Sequence, residues 1–224
     1  MIATFAERTG LEVVLFTPSD RPRTLDAPSD VPMTWGRALV LQLLRSYAAK
    51  RRSLELRDGP DGASHLEIQK LMYFANQVEP ALGLKFAPAR YGPYSETIRH
   101  LLQDMEGAFT TGLGDGTART LDNNPISLTA DGSRALNEFP ASERGARVTE
   151  ACDAVLRIVE GFEGPYGVEL LASAHWVVTN QDAHEKRAAA EAVRGWTERK
   201  GRIFTDAHVE AALEQLAERI MPRA

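Results

Sequence analysis

The stretch Ser64-His65-Leu66-Glu67-Ile68-Gln69-Lys70-Leu71-Met72-Tyr73-Phe74 decides the fold class. Ser64 and Glu67 stand in Ser-x-x-Glu spacing ahead of an apolar run, which is the pattern of a capping box. The serine hydroxyl accepts from the third helical amide, and the glutamate reaches back to the serine N–H. A helix is predicted with Leu66, Leu71, Tyr73 and Phe74 as core, ending near Pro80.

Helical signals continue on both sides. Thr34 is a suitable N-cap for a helix running toward Lys50, with Leu39, Leu43, Leu44 and Tyr47 on one face. Ser95 can cap another carrying Ile98, Leu101, Leu102 and Met105, and Gly107 is placed to stop it. Three or four helices close the chain, on stripes that begin at Val148, Leu170 and Ala189 and behind Thr205. Residues 84–94, with Pro88 and Pro93, read as extended. Ile126-Ser127-Leu128 reads as a short strand entering a helix. The expected class is mainly α with minor β: a compact multi-helix domain with a short winged-helix-like strand element. Residues 1–18 read as a helix and a strand, 19–32 as a Pro-rich linker, and 33–224 as the helical domain.

Composition narrows the function classes. Hydrophobic residues are 43% and charged residues 25% of the 224, ordinary for a globular protein. A formal net charge of −5 argues against a general DNA-binding surface, which needs clustered Lys and Arg. The lone Cys152 excludes an intrachain disulfide, and no apolar run reaches the ~20 residues that span a bilayer, so a cytoplasmic protein is expected. No Walker loop, GxGxxG, HExxH or paired CxxC occurs, and His65, His100, His175, His184 and His208 are scattered. No catalytic residue, metal or cofactor is expected. The Gly112-Leu113-Gly114-Asp115-Gly116 loop lacks the strand and lysine of a phosphate cradle.

The sharper signal lies between Leu66 and Gly116. Tyr91 and Tyr94 flank Gly92-Pro93, where they either meet a partner or lock a turn. Residues 95–131 hold Glu96, Asp104, Glu106, Asp115, Asp122 and Asp131 against Arg99 and Arg119, six acids less two bases. Such a face is either solvated or suited to a basic partner. Candidate contacts on charge and exposure are Tyr91, Tyr94, Glu96, Asp104, Glu106 and Asp115.

Several separate words resemble one known family. They are Gln69 to Phe74, Arg90 to Tyr94, His100 to Gly107, Gly114 to Gly116, Glu160 to Gly167, Glu169 to Ala172, His175-Trp176 and Trp196 to Lys200. Together they resemble the C-terminal toxin-binding region of the DarG antitoxins, and the block at Tyr91–Tyr94 is similar to the broader Panacea domain. Residues 1–18 resemble the closing helix and strand of that family's macrodomain, which removes ADP-ribose from DNA. The resemblance implies a DarT-like toxin protein as partner, with no glycohydrolase activity, and the charge pattern suggests that an acidic surface blocks the toxin's DNA groove. The alternative is a winged-helix-like nucleic-acid-binding regulator using Arg45, Lys50, Arg51, Arg52 and Arg57.

Overall fold

The structure, a computed structural model, describes residues 31–54, 61–114, 125–139 and 143–220. The expected helix and strand over 1–18 and most of the 19–32 linker lie outside the described residues, as do Arg57 and Asp115.

Thr34 accepts from the Arg37 amide and opens α1 (Trp35–Ser53), whose last turn carries Lys50, Arg51 and Arg52, where positive charge offsets the helix dipole. The Ser64–Glu67 capping box forms in both directions and opens α2 (His65–Val78). A 3₁₀ turn (Pro80–Leu82) leads to an antiparallel hairpin of β1 (Ala87–Ala89) and β2 (Gly92–Tyr94). Then comes α3 (Glu96–Met105). Ser95 holds its N-cap position without a side-chain cap bond, and the Gln69 amide bonds both its backbone N–H and its carbonyl.

β3 (Thr110–Thr111) pairs antiparallel with β4 (Ser127–Leu128), and Thr129 caps α4 (Ala130–Glu138). The strand-to-helix passage is thus present. Five helices follow: α5 (Glu143–Ile158), α6 (Pro165–Asn180), α7 (Lys186–Gly195), α8 (Glu198–Ile203) and α9 (Asp206–Arg219). This is more than the three or four expected. Helix α8 has six residues, and only Lys200 among them is buried, so it carries no apolar stripe for periodicity to find.

The described residues are mostly helical with a few short strands. At the centre, α2 is buried without interruption from Leu66 to Ala75, and α6 from Gly167 to His175. A helix enclosed on every side lies inside its domain. These two pack on each other, with α5 against α1 and α2, and α9 against α6 and α7. Cys152 is fully buried on α5, and burial raises its thiol to about 11, which keeps it protonated and inert. Among the described residues no helix is long and apolar enough to cross a membrane.

Candidate binding pocket at the β1–β2 hairpin

Two central helices buried on all sides still carry charge. Glu169 on α6 is 1% exposed, and Lys200 on α8 is 0% exposed. The Lys200 ammonium donates to Glu169 at 2.6 Å and to the Ser173 hydroxyl at 2.9 Å. Arg199 adds a second cation, 2.8 Å from the same carboxylate. Lys70 on α2 is likewise buried and donates at 2.6 Å to the carbonyl of Pro93 in β2. Around one carboxylate the interior therefore gathers two lysines and an arginine.

Such an excess is costly to bury, and the lysines respond. Lys70 is lowered to about 7, chiefly by burial and then by the nearby Lys200 charge, with Glu169 opposing both. Lys200 is also lowered, mainly by burial, while the Glu169 charge and hydrogen bond pull it back up. Lys70 therefore changes charge close to neutral pH, at the wall of an open pocket.

That pocket, about 320 Å³, is lined by Leu66, Gln69 and Lys70 from α2, by hairpin residues 89–92 and Tyr94, and by Glu96. The hairpin turns on Arg90 and Tyr91, with Ala89 paired to Gly92. Gly92 has φ +93°, and a Cβ there would stand 2.9 Å from the Ser173 hydroxyl, so only glycine lets β2 sit this close to α6. Two guanidiniums stand over the Tyr91 ring, Arg199 at 5.1 Å and Arg90 at 5.5 Å from its centroid. Tyr94 packs edge-on against His65 at 6.0 Å. Cations at one pocket suit a ligand that carries phosphate.

The structure brings Tyr91, Tyr94 and Glu96 together at this pocket. Both tyrosines are half-buried, and Glu96 is exposed and ion-paired with Arg99 at 2.7 Å. Asp104 stands apart, paired with Arg37 at 3.2 Å. Glu106 is 6% exposed and accepts from the amides of Gly112, Leu113 and Gly114, which fixes the loop after β3. Asp131 pairs with Arg134. No described member of the expected acidic face is thus an unpaired carboxylate in solvent. The basic stretch is engaged in the same way: Lys50 with Glu160, Arg51 with Glu67, Arg52 with Asp61, and Arg45 with Asn137 and Gln42. Sequence reasoning gave Lys70, Glu169, Arg199 and Lys200 no role. The available signal was a charged residue inside a helix buried on all sides.

Fold and pocket define a multi-helix protein with a hairpin pocket lined by Lys70, Arg90 and Glu96 among its charged residues. No family model matches the chain. It is 54% identical over 217 residues to a Mycobacterium tuberculosis protein named DNA ADP-ribosyl glycohydrolase, a match covering 96% of this chain and 62% of that protein. The Mycobacterium bovis protein of the same name matches at the same identity and coverage. A Thermus aquaticus protein so named is 32% identical over 216 residues, covering 94% of this chain and 55% of its own length. The chain spans about three fifths of the length of the mycobacterial relatives.

These names overturn the expectation of a non-enzymatic, toxin-neutralising domain of the DarG type. The relatives are named as hydrolases, and those carboxylates of the expected acidic face that are described are paired or internal. Nothing favours the winged-helix regulator in its place, since its described basic residues are all engaged within the fold.

Proposed function

We propose that the chain works within a DNA ADP-ribosyl glycohydrolase as its helical body, and that the pocket beside Tyr91 holds phosphate of the modified DNA. The 54% identity over 96% of the chain to proteins bearing that name carries this reading. The reaction adds water at the anomeric carbon of the ADP-ribosyl group and breaks its bond to DNA. Free ADP-ribose and restored DNA are the products.

Substrate and product are both polyanions, so a binding surface needs positive charge that its own carboxylates do not cancel. Arg90 supplies it at the pocket rim, and Lys70 supplies it from the wall when protonated. Tyr91, with the Arg90 and Arg199 guanidiniums over its ring, keeps positive charge beside the pocket.

The test is hydrolysis of an ADP-ribosylated single-stranded oligonucleotide by the protein in its full native length, followed by chromatography of released ADP-ribose. Release is the expected result. Adduct left intact after incubation with equimolar protein would remove the proposal.

A further inference from the structure

Lys70 brings more hydrogen-bond donors to the pocket wall than its surroundings use. A protonated lysine offers three N–H bonds. Among the described residues this one meets a single acceptor, the Pro93 carbonyl at 2.6 Å. The residue is 2% exposed, so bulk solvent hardly reaches it. Its Nζ lies close to Gly92, which also lines the pocket; a Cβ added there would stand 3.6 Å from it.

The charges around it do not balance. Glu169 on α6 is the carboxylate whose charge reaches Lys70, and it already accepts from Lys200 at 2.6 Å and Arg199 at 2.8 Å, both on α8. The other groups at this wall add no counter-charge. Arg90 on the hairpin is a further cation, and Tyr91 and Tyr94 bring hydroxyls. Glu96, which opens α3, is exposed and paired with Arg99 at 2.7 Å. His65 on α2 is lowered by burial and then by the Lys70 charge, which keeps its ring neutral at pH 7. An ammonium so placed is short of one negative charge, and burial with the Lys200 charge brings Lys70 down to about 7. An opposite charge within about 4–6 Å reverses such a shift by favouring the charged form.

We propose that a phosphate seated in this pocket brings a proton with it, taken from solvent by the Lys70 amine, so that anion binding and charging of this buried lysine are one event. The anion supplies the counter-charge that Glu169 cannot, and the ammonium it creates holds the anion in turn. Between the free and bound titration points the complex carries one more proton than the free protein, so binding weakens as pH rises. The inference rests on the phosphate reading of the pocket and adds its control.

Isothermal titration calorimetry with an oligothymidylate lacking terminal phosphates tests it, because diesters keep their charge throughout the range used. In buffers of different ionisation enthalpy, binding should take up about one proton at about pH 8 and almost none at about pH 6, where the lysine is already charged. Affinity should be about tenfold weaker at the higher pH. Lys70→Met should lose both effects and bind at either pH about as weakly as the unaltered protein does at the higher one. Its melting temperature establishes that it folds, and the wild-type titrations decide by themselves if it does not. Arg90→Ala places the probe, since loss of that rim cation should weaken binding at the lower pH. Binding that Arg90→Ala weakens but that takes up no proton would overturn this inference and leave the phosphate reading standing. Equal affinity at both pH values, or uptake that persists in Lys70→Met, would do the same. No binding at the lower pH, or binding indifferent to Arg90→Ala, would remove the phosphate reading and this inference with it.

Discussion

Two buried carboxylates anchor this protein, and their surroundings differ in one respect. Glu67 accepts from the Ser64 amide at 2.8 Å, the Ser64 hydroxyl at 2.7 Å and the Tyr47 hydroxyl at 3.0 Å, and a single cation, Arg51, stands 3.4 Å away. Tyr47 passes the connection on by accepting from the Gly164 amide at 2.7 Å. Charge is balanced, and the cluster joins α1, α2 and the loop before α6. Glu169 instead faces Lys200 and Arg199, with Lys70 close enough to feel the Lys200 charge. One carboxylate cannot neutralise that set. The first cluster is a structural tie. The second ties α6 to α8 and leaves positive charge at a pocket.

The largest effect expected from breaking this contrast is on stability. Glu169→Gln leaves Lys200 and Arg199 without their counter-charge and should cost about 3 kcal/mol or more, read by urea unfolding. Glu67→Gln keeps one acceptor oxygen and frees a single, partly exposed cation, Arg51, so it should cost less, about 1–2 kcal/mol. Equal losses would erase the distinction.

Gly92→Ala comes next. Its positive φ and the Ser173 hydroxyl 2.9 Å from the new methyl predict a loss of about 2 kcal/mol, with the same readout.

Two pH profiles sharpen the comparison. Lys70 titrates at about 7 in the folded protein and near the ordinary lysine value when unfolded, so between these the unfolded chain binds more protons. Stability should rise with pH from about 7 toward that higher value and gain nothing from this group below 7. Lys70→Met should flatten the slope. A slope unchanged in Lys70→Met would assign it to another group.

His175 works on the acid side. Burial lowers it to about 4, so the ring is neutral at pH 7, with Nδ1 hydrogen-bonded to the Tyr73 hydroxyl at 2.7 Å. Its contribution is present above the ordinary histidine value and is lost as pH falls toward 4. His175→Gln should remove this acid-limb loss in an unfolding series.

Much of the fold was legible because it is written in local chemistry. Thr34, the Ser64–Glu67 box and Thr129 each announce a helix start through a side chain that caps an amide a few residues away. The hairpin at 87–94 was legible as an extended Pro-containing segment. The pocket was visible only as Tyr91, Tyr94 and Glu96, since its buried charges meet across the chain: Lys70, Glu169 and Lys200 are joined by packing and not by spacing. The acidic face failed for the same reason. Counting carboxylates over 95–131 could not show that Arg37 reaches Asp104, or that Glu106 turns inward to its own loop.

The central claim is that positive charge beside Tyr91 serves a polyanionic substrate. Steady-state hydrolysis of an ADP-ribosylated oligonucleotide by Arg90→Ala tests it most directly. The account predicts a KM raised about tenfold with kcat unchanged and a shallower dependence of KM on salt. A KM and salt dependence equal to wild type would contradict it.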